Sequence, residues 1–331
     1  MNTHPKRTFL ARAGLLALGL AVPPLSASAQ STAPWPTKPI RLVVGYPSGS
    51  SPDMQARLIA DPLSRALGQP VVVENRPGAS GNIGADLLAR ADDGHTIGVI
   101  GNGPLTSSKY LYTKLPYDPA TAFAPIALIG AAPLVWVTNK AGAERPIAEV
   151  LKQMRADGDK LSYGSIGPGS GGHLGMELLK QAVGINPLHV PFNGGPPIIN
   201  AILGGHIQMS LLPASTVNPL VQAGKLEAVA VTSARRSPLA PTLPSMEDIG
   251  AQGVNIEVWN AVMAPASMPA AHQALLSSEL GKILNQREMR QKLFQQGWRV
   301  DDPSPKSLSA RIAQDTATYR DLIARNKIRI D

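Results

Sequence analysis

The stretch IRLVVGYPSGSSPDMQARLIADPLSRALG, residues 40–68, states a unit that the rest of the chain repeats. A short β-branched run leads into a loop of Pro, Gly and Ser. An amphipathic helix follows. In the same way PVVVEN leads into RPGASGN and IGADLLARA, and HTIGVIG into NGPLTSS. KLSYGS leads into IGPGSGG and HLGMELLKQAVG, LHVPF into NGGPP and IINAILGG, and HIQMSLL into PASTVNPLVQAG; LEAVAVTS follows. Continuous apolar strands alternating with helices predict an α/β fold with parallel sheets covered on both faces.

Two apolar segments break the pattern. APIALIGAAPLVWVTN (124–139) and VNIEVWNAVMAP (254–265) are too long for one strand of the unit. We read both as crossover strands between two α/β domains. Domain 1 is then residues 30–131 plus 257–331, domain 2 is residues 132–256, and a ligand cleft lies between them. The helical tail, beginning at MPAAHQALLSSELGKILNQ, packs on domain 1. Two domains joined by two crossovers can hinge over a small ligand.

The first 29 residues read as an export signal. Lys6, Arg7 and Arg12 precede the apolar run GLLALGLAV, and ASA at 27–29 places cleavage after Ala29. KRTFL also resembles a twin-arginine motif with Lys in the first arginine position. The formal net charge of +8 falls to +8 − 3 = +5 once the signal's three bases and no acids are removed. That surplus is spread along the chain and aromatics make up only 4%, which argues against nucleic-acid binding. With no cysteine there is no disulfide or thiolate metal site, and the six histidines form no i, i+4 pair. The reading therefore expects no metal, no cofactor and a monomer, exported to a periplasm.

YGSIGPGSGGHLGMELLKQAVG, residues 163–184, bears on function. Gly167, Gly169 and Gly172 spell G-x-G-x-x-G between a strand and a helix. A dinucleotide site also needs an acid about 20 residues on, and none occurs from Leu178 to Leu226. No Gly-Lys-Ser/Thr of a phosphate loop follows either. Ser170 and His173 raise a serine hydrolase as the alternative function, but Pro168 stands where a nucleophile elbow needs glycine. The remaining candidate is an organic anion held by backbone. Helix N-termini present unpaired N–H groups and partial positive charge, and glycine lets a carboxylate come close. YPSGSSPD, with Ser51, Pro52 and Asp53, and FNGGPP, with Asn193 and Gly194, build two more such termini. Arg76 is the exception in loops otherwise nearly free of bases. Asp53 either stabilises its helix start or pairs with an amine on the ligand. Gly169→Val is expected to cost affinity more than stability.

KPIRLVVGYPSGSSPDMQARLIA, LGQPVVVENRPGASGNIGAD, LPYDPATAFAPI, YGSIGPGSGGHLGMELL, HVPFNGGPP, AGKLEAVAVTSARRSP and APASMP resemble, in order, the tripartite tricarboxylate transporter substrate-binding proteins, the Bug or TctC-type receptors. The resemblance implies a two-domain, Venus-flytrap (type II-like) periplasmic binding protein without catalytic activity. It would capture a small organic carboxylate and deliver it to the membrane permease subunits of a tripartite tricarboxylate transporter. Carried over, the ligand-binding positions are Tyr46, Ser48, Gly49, Ser50, Asp53 and Asn102 from the first domain. From the second they are Ser165, Gly167, Gly169, Ser170, His173, Phe192, Asn193, Gly194 and Leu212. The family usually has Pro-Gly-Gly where Ser48-Gly49-Ser50 stands, often hydroxyl residues at Gly171 and Gly172, and in many members a polar or acidic residue at Leu212. The carboxylate anchor is thus expected to be kept while the distal pocket suits a dicarboxylate or an aromatic carboxylate better than citrate.

Overall fold

The computed structural model describes residues 1, 35–139, 146–233 and 235–328. The export signal proposed for residues 1–29 lies outside them, apart from Met1.

The chain opens with β1 (Ile40–Val44), α1 (Ser51–Leu67), β2 (Val71–Asn75), α2 (Asn82–Ala89), β3 (Thr96–Gly101), and the short helices α3 (Asn102–Leu105) and α4 (Ser108–Leu111). β1 is parallel to β2 and β3, with Leu42 opposite both Val73 and Ile97. α1 follows from its sequence: Pro52 sits in its first turn, Asp53 is the first-turn acid, and Gly68 caps it in the left-handed region. Its buried face, with Ala56, Ile59 and Leu63, packs on β1 and β3.

β4 (Phe123–Asn139) belongs to two sheets. Its first part pairs antiparallel with β9, placing Ala131 opposite Trp259. Its second part pairs antiparallel with β7 and β8, placing Trp136 opposite Leu211 and Ala230. Between these come α5 (Ile147–Asp157), β5 (Ser162–Ser165), α6 (Gly171–Val183), β6 (Leu188–Pro191), α7 (Gly195–Leu203), β7 (Met209–Pro213), α8 (Ala214–Gln222) and β8 (Leu226–Val231). β5 is parallel to β6 and β7. The sheets are therefore mixed rather than wholly parallel. β9 runs against β3 and β4 in the first sheet, and β4 against β7 and β8 in the second, because each arrives there from the other sheet and not through a covering helix.

β9 (Glu257–Pro265) is shorter than the apolar run suggested. The residues before it stay tied to the end of β8: Ile256 N donates to Thr232 O at 3.2 Å and Thr232 Oγ1 donates to Ile256 O at 2.7 Å. Three helices close the chain, α9 (Ala270–Asn285), α10 (Arg287–Gln295) and α11 (Pro305–Arg325). α9 packs Leu276, Leu280 and Leu284 into the core around α1 and β4. α11 reaches further. Its Tyr319 and Ile323 meet Leu111, Leu174 and Ile256, so it touches elements of both lobes. No described helix is long and apolar enough to cross a membrane.

Candidate functional site

Two adjoining cavities lie where the lobes meet, and both are bordered by Tyr46, Ser51, Pro52, Ile166, Leu212 and Pro213. Their volumes, about 50 and 30 Å³, amount to room for a few water molecules each. Helix starts end on them: Ser51–Pro52 of α1, Asn102–Gly103 of the one-turn α3, Gly171–Gly172 of α6, Gly195 of α7, and Pro213 just before α8. The first amides of a helix have no carbonyl partner inside it. α1 and α6 each offer such amides. α7 offers fewer, because Pro196 and Pro197 carry no N–H. Among the described residues no charged side chain borders either cavity; apolar wall comes from Leu134, Ile166, Leu211 and Val258, and Asn102 and Asn260 add neutral polar groups. A larger cavity of about 890 Å³ lies away from these helix starts, along α11. Its Arg311 pairs with Glu257 and Asp315, and Arg299 pairs with Glu257 as well, so these charges are already matched.

The glycine loop before α6 is held from both lobes. Ser80 Oγ donates to Pro168 O at 2.9 Å and Ser107 Oγ donates to Gly169 O at 2.7 Å, both across the cleft. Within its own lobe, Ser165 Oγ and Ser170 Oγ donate to Gly167 O at 3.1 and 2.7 Å. Ser170 also caps α6, accepting from His173 N at 3.3 Å. Gly169 N donates to His173 Nδ1 at 3.1 Å, which leaves the imidazole proton on Nε2. His173 stacks on His189, and His189 on Tyr163, with ring centroids 4.3 and 4.9 Å apart. The loop's carbonyls are thus tied down by hydroxyls, and the amides of Gly167 and Gly169 are spent on Ser165 and His173.

Of the positions singled out in the sequence, Tyr46, Ser50, Asn102, Ser170, Gly194 and Leu212 border the cavities. The others stand behind them. Asp53 accepts from Gly49 N at 2.9 Å, from Asn75 Nδ2 at 2.9 Å and from Arg57, and Ser48 Oγ lies 3.5 Å away. It braces the β1–α1 loop and does not border a cavity. Burial works to raise its carboxyl, but the bonds from Arg57, Gly49 and Asn75 hold it below the ordinary carboxylate range. Ser165, Gly167, Gly169 and His173 shape the glycine loop. Phe192 packs in the core against Gly164, and Asn193 is exposed. Arg76 pairs with Glu74. Sequence reasoning missed Asn260 and Trp298, which border the larger of the two cleft cavities. Asn260 had a signal, a lone amide in an apolar strand. Its Nδ2 donates to Gln55 Oε1 at 2.9 Å.

Gly169→Val no longer separates affinity from stability. Gly169 has φ +77°, and a Cβ there would lie 2.6 Å from Leu111 Cδ1, so both would suffer. Gly171 has no positive φ, and its added Cβ would meet Val258 Cγ1 at 2.4 Å.

Comparison with known proteins gives this arrangement a family. Residues 55–328 match the tripartite tricarboxylate transporter family receptor, TctC. The chain belongs to this family. A Cupriavidus necator protein, described as the UPF0065 protein in the gbd 5′ region, is 34% identical over 275 residues, 82% of each chain. Protein BugT of Bordetella pertussis is 31% identical over 291 residues, covering 87% of this chain and 86% of BugT. Among solved structures, an R. palustris protein with adipate superposes with TM-score 0.86 at 30% identity, covering 89% of this receptor and all (100%) of that chain. The periplasmic binding protein BugD superposes with TM-score 0.84 at 30% identity, covering 89% and 100%. MatC from Rhodopseudomonas palustris, solved with bound malate, gives 0.82 at 27%, covering 87% and 100%. The receptor has the two-domain fold of the solute-binding proteins it resembles. TctC-type proteins are receptors, not enzymes, and the local geometry agrees: Ser170 is a helix cap, and His173 Nδ1 takes an amide proton rather than that of Ser170.

The stacked histidines give this receptor a pH dependence. Burial, with Lys180 nearby, pushes His173 down to about 4. Burial, together with His173 itself, also pushes His189 down to about 4. An unfolded imidazole titrates near 6.5. Between these values the unfolded chain binds more protons, so stability falls as pH drops from about 6.5 toward about 4, by on the order of 1 kcal/mol per pH unit for each ring. Melting curves across that window should show the decline, and His173→Asn, which keeps an acceptor for Gly169 N, should reduce it to the His189 contribution. A pH-independent melting temperature in the native protein would rule out neutral buried rings.

Proposed function

We propose that this chain is an exported solute receptor that captures a small organic carboxylate, a dicarboxylate or an aromatic carboxylate. It hands that ligand to the membrane permease of a tripartite tricarboxylate-type transporter. On this reading the chain works in the periplasm after cleavage at Ala29. Residues 30–131 plus 257–331 form one hinging lobe and residues 132–256 the other. The observation that carries the proposal is a cleft bordered by helix N-termini from both lobes and, among the described residues, by no charged side chain. The adipate and malate held by the R. palustris relatives support the ligand class.

The energetics suit a carrier. A hydrogen bond to a charged group contributes roughly 1.5–3 kcal/mol. Four neutral amides bonding one carboxylate contribute roughly 6–12 kcal/mol before the costs of association and closure, so a micromolar complex, about −8 kcal/mol, also draws on burial of the ligand's apolar body. A lysine or arginine in the cleft would hold the anion more tightly and release it more slowly. Polar anchoring at one end with apolar walls from Leu134, Leu212 and Val258 favours a ligand with an apolar body.

A thermal-shift screen over mono-, di- and aromatic carboxylates tests the proposal. A ligand at about 100 times its Kd stabilises by about 2.7 kcal/mol, which should raise the melting temperature by about 5 °C or more. A flat screen would refute a carboxylate receptor.

A further inference from the structure

We propose that the indole N–H of Trp298 donates a hydrogen bond to the bound carboxylate, making Trp298 a ligand-contacting residue of the first lobe; this rests on the receptor reading above. Trp298 is 1% exposed and borders the larger cleft cavity beside Asn260 and Leu212. Its Nε1 is buried with no acceptor among the described residues. Indole nitrogen only donates, so the group needs an oxygen that the folded chain does not supply. Leaving such a donor unpaired costs stability, and a residue whose ring merely fills the core would serve as well as Phe.

The ring is held in place. Trp298 N donates to Leu293 O at 2.9 Å, and the next residue, Arg299, exchanges backbone bonds of 2.8 and 2.9 Å with Ala131. Gly130 lies against the Trp298 side chain: a Cβ on it would sit 3.3 Å from Trp298 Cβ. The preceding Gly297, at φ +81°, lies against the start of α8, where a Cβ would sit 2.8 Å from Ala214 Cβ. The segment therefore sits at the seam between the lobes, on backbone that cannot swing away to find a partner.

A second donor nearby has the same need. Gln55 on α1 is fully buried, and its Nε2 has no acceptor. Its Oε1 is already taken by Asn260, which borders the cavity with Trp298. Gln55 itself borders neither cavity, so it reaches the cleft only through Asn260, and among the described residues Trp298 is the unpartnered donor at the cavity. A carboxylate oxygen satisfies that donor without any cationic side chain, in keeping with the uncharged lining.

Trp136 supplies the control. Its Nε1 is also buried and unpartnered, but Trp136 borders neither cleft cavity. Calorimetric titration of the native protein, W298F and W136F with adipate, malate and benzoate tests the proposal. W298F should bind the probe accepted by the native protein about tenfold or more weakly, with an unliganded melting temperature unchanged or higher. W136F should match the native affinity within about twofold. Equal affinities in all three proteins would overturn the proposal and leave the receptor reading intact. A native protein that binds none of the probes would overturn both. Should W298F not fold, the indole ¹H–¹⁵N resonances of the four tryptophans in the native protein give the answer. The Trp298 signal must move downfield on saturation with the probe, and four unmoved signals contradict the bond.

Discussion

Gly171→Ala should lower carboxylate affinity by about a hundredfold or more while leaving the unliganded melting temperature within a few degrees of native. Gly171 begins α6 in the second lobe, and Val258 stands on β9 in the first. An added methyl would lie 2.4 Å from Val258 Cγ1, and a valine on a strand has no flexible end to move aside. The lobes must then part by about 1 Å, and the α6 amides withdraw with them. Loss of two charge-assisted bonds accounts for a factor of this size. Val258 packs on the cores of both lobes, but a small parting of the lobes relieves the contact without repacking either core, so the stability cost stays small. Gly172→Ala is the contrasting case. Its Cβ would sit 2.8 Å from Leu211 O within the same lobe, so it should destabilise by about 1–3 kcal/mol. Calorimetry and thermal unfolding of both variants separate the two effects. Native affinity in Gly171→Ala would mean that the ligand does not need the lobes in contact.

Asp53→Ala should destabilise the unliganded protein by about 2–4 kcal/mol, because the amides of Gly49 and Asn75 lose a buried charged acceptor. Asn75 also donates to Tyr46 O at 2.9 Å, so the loop bordering the cleft loosens too. The sign with pH follows from the depressed carboxyl. Its contribution is fully present above the unfolded value near 4 and is lost as pH falls through the lower folded value. Native protein should therefore lose this increment below about pH 4, and Asp53→Asn should not. Unfolding melts at neutral and acid pH check both. Tighter carboxylate binding in Asp53→Ala at unchanged stability would show instead that the acid faces the ligand.

The sequence made the helix starts legible because proline, glycine and serine leave few alternatives at such turns. YPSGSSPD and GPGSGG did become the N-termini of α1 and α6 at the cleft. The direction of their amides was not legible. Gly167 and Gly169 looked like the anion's closest neighbours, yet their N–H groups turn to Ser165 and His173. Only the three-dimensional position of His173 decides that. FNGGPP looked equivalent to the other two loops, but its prolines remove the donors that such a site needs. Ser80 and Ser107 reach the glycine loop from 88 and 62 residues away, and Trp298 joins a cavity built mainly from the first 260 residues. Separations of that length are set by sheet topology, which periodicity does not encode. β4 and β9 show the same limit: their length suggested a crossing, while their antiparallel pairing came from the direction in which each enters its sheet.

The central claim is that uncharged donors from two lobes select a carboxylate for its charge. Calorimetric titration of the best acid from the screen beside its primary amide, equal in size and shape, tests this most directly. The acid should saturate the protein at micromolar concentration, and the amide should bind about a hundredfold more weakly. Equal affinity for the two would contradict the account, because the cleft would then recognise shape and not the anion.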